Sequence, residues 1–444
     1  MWFQRLFDPG LMKRVFRISA PMIVTELAHS IYSITDTYFV SGLGREALAG
    51  VGLAGYLFWL FMVPLVMFNG GLSVFVAQAY GAREYDKARR GAGEVLVYEL
   101  VASMGLALFG VYMGYAILGI MSNWEEGVLS NAYEYFKWRV IGIVLAGVVW
   151  GFDTVLVATG HTRESMIANI AGVSANIVLD PILIYGYFGL PAMGVAGAAL
   201  ATIFSNAITG VINYYWLGVI NMRPHLSLNR VYLPRILELG LPMAGERAVF
   251  SFGNNIYISI IARCGETALA AHTIGIRIES LIYMPGFAFM VAASTLVGQG
   301  VGAGDYEYAK RIGREAIKLG TILMAVLGVL VALLARYIAK PFSPSEDVLE
   351  LATLYLILAG LSEPGLALAM TSGGGIRGAG NPRIPLIVNV AGLYTVRVIP
   401  SLILVNYLGV LGPWLAMFID VYVRGITLYV IYEKWFTKFV RRVV

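Results

Sequence analysis

Long apolar runs alternate with short polar or Gly/Pro-containing breaks along the whole chain. A helix needs roughly 20 apolar residues to cross the hydrocarbon of a bilayer. Runs of that size lie near 15–40, 52–80, 94–120, 132–158, 165–187 and 194–219, then near 235–261, 268–300, 316–341, 349–374, 384–407 and 412–433. The pattern predicts about twelve membrane-spanning helices, six in each half.

The two halves repeat each other. Pro21, Pro64, Gln78 and Gly81 recur 221 residues later as Pro242, Pro285, Gln299 and Gly302. The turn Gly44-Arg-Glu-Ala-Leu-Ala49 recurs as Gly265-Glu-Thr-Ala-Leu-Ala270 at the same offset. Further on the match weakens and the offset becomes 220, as Gly160-His-Thr-Arg163 pairs with Gly380-Asn-Pro-Arg383, and Asn169 with Asn389. The expected fold is an all-α integral membrane protein with two pseudo-symmetric six-helix lobes, residues 1–222 and 223–444. Repeats of membrane helices with a pathway at their seam are how many secondary transporters are built.

Composition agrees with the pattern. At 58% hydrophobic, 13% charged and mean hydropathy +0.74, the chain is no soluble globule, since those carry near a quarter charged residues. The net charge of +5 sits in short loops rather than in a patch, so no nucleic-acid partner is expected. Basic residues mark every second loop: Arg83 to Arg90, His161 and Arg163, Arg223 to Arg235, Lys310 to Arg314, Arg377 and Arg383, and the end from Lys434 to Arg442. The loops between them are acidic or neutral, as at Glu125-Glu126 and Glu346-Asp347. Basic loops favour the cytoplasmic side, which predicts a multi-pass protein of the cell membrane with both termini inside. The basic start, Arg5, Lys13, Arg14 and Arg17, runs into the first span without a cleavage site, so no signal peptide is expected. One cysteine, Cys264, and four scattered histidines carry no ligand spacing for a metal cluster.

Two acids stand out inside the spans. Asp36 lies in the first, and Asp180 in the fifth, one turn after Asn176. At helical spacing Met22, Glu26, His29, Tyr32 and Asp36 share one stripe of the first span. Thr202, in the sixth span, reaches a similar depth. Carboxylates at membrane depth are costly and point to an ion pathway or a cavity. Two acids with Asn and Thr oxygens suit a bound proton or Na⁺. The repeat argues against a packing role, since the matching positions are Tyr257 and Pro400. Asp153, in the fourth span, suits either a cavity or a helix-end partner for a loop Arg, and Pro21 either a hinge or a static packing kink. The second half carries Glu246-Arg247, Arg277, Glu279, Glu363, Arg397, Asp420 and Arg424. Here structural ion pairing is the expectation: Glu246 neutralised locally, Asp420 paired with Arg424 at i,i+4. Glu246 and Glu363 stay secondary candidates for the coupling site.

Twelve spans, two lobes, the Gly-Xaa-Xaa-Ala-Leu-Ala turns and their downstream Gln78…Gly81 and Gln299…Gly302 resemble the multidrug and toxic compound extrusion (MATE) family, most closely its DinF-like prokaryotic branch. The Gly378-Ala-Gly-Asn381-Pro stretch resembles the family too. The resemblance implies a cation-coupled antiporter that is not an enzyme and has no cofactor. It would export small amphipathic, often cationic compounds in exchange for H⁺ or Na⁺ by alternating access. By similarity the coupling site would comprise Asp36, Asn176, Asp180 and Thr202, which would also be the Na⁺ ligands. Tyr32, Met22, Asp153 and His29 would line the cargo cavity. A lipid-embedded monomer is expected. A lipid-linked saccharide flippase of the same superfamily would need an Arg- and Lys-rich cavity. A prenyltransferase would need paired acids such as DDxxD, which the sequence lacks.

Overall fold

A computed structural model describes residues 8–444, so the expectation attached to Arg5 lies outside the described residues. Among the described residues the chain forms twelve long helices and no strand. They are α1 (Pro9–Ser41), α2 (Arg45–Gly81), α3 (Tyr85–Met121), α4 (Glu126–Ala158), α5 (Thr162–Tyr185) and α6 (Gly194–Val219). The second half has α7 (Leu233–Ala262), α8 (Glu266–Gly302), α9 (Tyr306–Ala339), α10 (Glu346–Gly378), α11 (Arg383–Leu408) and α12 (Leu411–Phe439). Ten of them are long and apolar enough to cross a membrane. The two exceptions, α1 and α7, open each half. They run 33 and 30 residues, ample for a crossing, but carry charges along their length: Lys13, Arg14, Arg17, Glu26 and Asp36 in one, Arg235, Glu238, Glu246 and Arg247 in the other.

Several helices overrun their apolar stretch. α3 begins at Tyr85 and α9 at Tyr306, each about ten residues before the expected start. Their first turns are charged, and α3 starts at Tyr85 with no side-chain cap. The Asp305 carboxylate caps α9 by accepting from the Tyr308 amide at 2.9 Å. α11 contains one wide turn, Leu393–Val398, which carries Arg397. Such single wide turns occur often at functional positions.

The chain divides into two compact units, and the boundaries fall at the prolines of α1 and α7. One unit holds α2 to Tyr80, α3 to α6, α1 from Val24 onward and α7 only as far as Gly240. The other holds α8 to α12, α7 from Leu241 and α1 only as far as Ile23. Each half therefore lends the first turns of its first helix to the opposite unit. The borrowed turns fit through small residues. In the first unit, a methyl at Gly71 would strike the Ile236 carbonyl, and one at Gly240 would strike the Met67 carbonyl. Glycine at both places lets the two backbones touch, a common device between membrane helices. In the second unit, Leu11, Val15 and Ile18 pack on Phe289, Ala292 and Ala293. Glu94 anchors the start of α7: its carboxylate accepts from the amides of Val231, Tyr232 and Leu233 at 3.3, 2.8 and 3.0 Å. A negative charge at a helix N-terminus is favourable.

Bulky apolar side chains such as Leu108, Tyr112, Val211, Leu333 and Tyr337 are largely exposed on the helices. That outer coat suits lipid rather than water.

Candidate functional site

Helical spacing places the chemistry. On α1, Tyr32 and Asp36 are one turn apart. On α5, Asn176 and Asp180 repeat that spacing, and the Asn176 amide donates to Asp180 Oδ1 at 3.4 Å. Thr202, on α6, gives its hydroxyl proton to the Ala198 carbonyl at 3.1 Å. Its oxygen is then the acceptor for the Tyr32 hydroxyl, also at 3.1 Å. Pro181 has no N–H, so the Ile177 carbonyl, one turn back on α5, loses its usual helical donor beside Asn176.

Asp180, Asn176 and Thr202 are buried, while Asp36 keeps partial exposure. Asp36 and Asp180 are close enough to feel each other's charge. No protein group donates to Asp36 Oδ1, Asp180 Oδ2 or Asn176 Oδ1. Buried polar atoms in folded proteins almost always have partners. Three orphaned acceptors on two facing helices form a site with oxygens to offer and no proton of its own to satisfy them.

One charge here escaped the sequence reading. Arg139, on α4, lies within electrostatic reach of Asp36 and hydrogen-bonds to Tyr32. Its guanidinium lies over the Phe58 ring at 4.4 Å and near Tyr135 at 6.0 Å. An Arg two residues after Lys137, near the start of a span, gives no distinguishing pattern. The available signal was Tyr135 and Arg139 one turn apart, as Tyr32 and Asp36 are on α1.

The remaining candidates separate into other groups. Asp153, on α4, accepts from Ser165 Oγ at 2.6 Å and from the Asn169 amide at 3.0 Å, both on Oδ1. His29 and Glu26, on α1, face the same carboxylate. Asn213, on α6, lies beside it fully buried, with neither amide atom hydrogen-bonded. Counting along α1 at 1.5 Å per residue, His29 lies about 10 Å from Asp36. Met22 and Pro21 fall in the other unit, and Met22 is buried.

In the second half the acids are answered. Arg377 donates to both oxygens of Glu246 at 2.7 and 2.8 Å, and Asn389 adds a third bond at 2.6 Å. The partner foreseen for Glu246 was a local one; its bonds to Arg377 and Asn389 reach 131 and 143 residues along the chain. Asp420 holds Arg424 at 2.8 Å, as its i,i+4 spacing led us to expect, and also Arg397 at 2.9 Å. Glu363, on α10, is the exception: fully buried, with neither carboxylate oxygen hydrogen-bonded. Among the described residues no three His, Cys, Asp or Glu side chains gather closely enough to share a metal ion.

Comparison with known proteins bears on this arrangement. The family model described as MatE matches the chain twice, at residues 21–182 and 242–403. The copies begin at Pro21 and Pro242, in register with the internal repeat. The chain belongs to the MatE family. Its members are transporters, not enzymes. A probable multidrug resistance protein NorM from Thermotoga maritima is 30% identical, over 96% of this chain and 94% of that one. A MOP superfamily transporter from Pyrococcus furiosus, described as having a binding pocket of reverse polarity, superposes with a TM-score of 0.89 at 23% identity, covering 97% of each chain. A MATE transporter in a straight conformation gives 0.89 at 25% identity, again over 97% of each chain. The fold is thus the MATE-like pair of six-helix lobes.

Proposed function

We propose that this protein is a cation-coupled efflux antiporter whose coupling site is Asp36, Asn176, Asp180 and Thr202, with H⁺ or Na⁺ as the ion. The observation that carries this reading is the trio of orphaned acceptors on Asp36, Asn176 and Asp180. A proton shared between the acids, or Na⁺ among the oxygens, supplies what the protein does not. Thr202 keeps a lone pair for the same ion. Similarity to a probable multidrug resistance protein supports drugs as cargo, and the partly exposed acids Glu26 and Asp153 suit a cationic one.

In this mechanism ion uptake at Asp36 and Asp180 removes negative charge from α1. The change would bias α1 toward another bend at Pro21 and weaken the hold of Tyr32, His29 and Asp153 on a cationic cargo; Met22, buried and in the other unit, takes no part. A ligand moves a conformational equilibrium only through its differential affinity for the two states, so ion and cargo must prefer opposite ones. We further propose lobes at residues 1–222 and 223–444, both termini cytoplasmic, and a monomer in the plasma membrane. Glu246 is saturated by Arg377 and Asn389, so it takes a structural role in this reading, with Glu363 left as the secondary acid of the second lobe. A saccharide flippase would need clustered cations around the cavity; Arg139 is one guanidinium beside Asp36.

Efflux of ethidium from proteoliposomes under separately imposed H⁺ and Na⁺ gradients tests the proposal. Acceleration by either gradient supports it. Efflux indifferent to both would refute it.

A further inference from the structure

The acid Glu99, in the middle of α3, takes no part in the mechanism above. It is fully buried. Asn69, on α2, donates to its Oε1 at 2.6 Å. The Asn69 amide also donates to the Leu65 carbonyl at 3.2 Å, and its oxygen accepts from Thr154, on α4, at 3.3 Å. The second carboxylate oxygen, Oε2, has no hydrogen-bond partner. The backbone of α4 runs close alongside: a methyl at Gly147 would sit 3.3 Å from Oε1, and one at Gly151 would sit 3.6 Å from Oε2. Three helices thus enclose one carboxyl with one amide, one hydroxyl and one oxygen unanswered.

Helix packing does not demand this acid. The second half builds the same three-helix contact with Met290 in place of Asn69, Gly320 in place of Glu99 and Gly374 in place of Thr154, at the repeat's own offsets. There Phe289 closes on Gly320 and the Met290 carbonyl closes on Gly374. The contact is therefore met without an acid in one half, by Phe289, the Thr371 hydroxyl and the Met290 backbone, and by a carboxyl node in the other. No Asp, Lys, Arg or His on α2 or α4 faces Glu99; its hydrogen-bond neighbour is the neutral Asn69. With no cation to neutralise it, the species that fits is the carboxylic acid, and Oε2 is where the proton resides. Thr154 adjoins Asp153 on α4, so the node backs onto the accessible Glu26, His29 and Asp153 group.

We propose that Glu99 is a second proton-binding site of the first lobe, separate from Asp36 and Asp180, and that it exchanges its proton during transport. The exchange rests on the coupled-efflux reading; the site itself rests on the geometry at Asn69 and Thr154. Infrared difference spectra of the full chain in lipid, recorded across pH and on adding ethidium, test it. The expected result is a protonated-carboxyl band that responds to pH or to ethidium and is lost in Glu99→Gln. Asn69→Ala, which keeps the acid and removes its donor, should shift that band, and it decides the matter if Glu99→Gln does not accumulate. A Glu99 band that ignores both pH and ethidium, or no band lost and none shifted, would overturn the proposal. Asp36→Asn and Asp180→Asn should leave this band in place. If those two variants export normally while the band still responds, the coupling assignment falls and the Glu99 site stands.

Discussion

Asn169 and Asn389 occupy the same place in the repeat, yet each half gives its asparagine to a different acid. In the first half Asn169 donates to Asp153, on α4, together with Ser165. In the second Asn389 donates to Glu246, on α7, where Arg377 adds two charged bonds. The contrast extends outward from this point. Glu246, Asp420, Arg377, Arg397 and Arg424 close nearly every valence among themselves through Asn389. Around Asp36 and Asp180 three oxygens stay unanswered. The repeat fixes where helices touch, while these unlike side chains close the Glu246–Asp420 network and leave the Asp36–Asp180 group open; in the second half Glu363 alone of the candidate acids stays unanswered. A saturated network has little differential affinity to offer a passing cation. An undersaturated one has much.

The comparison breaks most readily at the acids. Asp36→Asn and Asp180→Asn keep the volume and remove the charge, so each should cut gradient-driven efflux by about 100-fold or more, a loss near 3 kcal/mol of coupling. Protein in the membrane should be undiminished. Normal transport by both variants would move the coupling site elsewhere, with Glu363 the next candidate.

The second half predicts the opposite signature. Glu246→Gln leaves the Arg377 guanidinium without its counter-charge in a place where both side chains are nearly buried, 13% and 12% exposed. Removing one member of a buried ion pair costs about 3 kcal/mol. Thermal unfolding in detergent should show a clearly lowered midpoint, while the ion dependence of the remaining efflux should hold. A variant of native stability with dead transport would reverse the roles of the halves.

The twelve helices were legible because lipid demands apolar runs of a set length, and the halves because Pro21/Pro242 and Gln78/Gln299 keep one offset. The helix starts at Tyr85 and Tyr306 were not, since charged first turns look like loop; Asp305 caps the second of them and no side chain caps the first. Asp36 and Asp180 were visible as acids amid apolar residues that the other half lacks. Arg139 was hidden because, two residues after Lys137, it reads as part of a charged span edge unless its aromatic cradle of Phe58 and Tyr135 is seen. Glu246 misled through Arg247, its neighbour in sequence, because the carboxylate's bonds to Arg377 and Asn389 come from α10 and α11.

The smallest effect we expect sharpens the picture of the ion site. Tyr32 stands where the other half has Gly253, and a methyl at Gly253 would already press on Leu393. In the first half that place holds a phenol whose hydroxyl joins Thr202 to Arg139. Tyr32→Phe keeps the ring and loses those bonds. Thr202 remains tied to Ala198, so its oxygen stays in place but loses the group that orients its second lone pair. One hydrogen bond is worth about 1 kcal/mol, which corresponds to roughly a five-fold change in an equilibrium constant. Half-saturating ion concentration for ethidium efflux should therefore rise about five-fold, with the maximal rate little changed. An unchanged ion requirement would mean that Thr202 does not contribute to ion binding, leaving Asp36, Asn176 and Asp180 as the whole site.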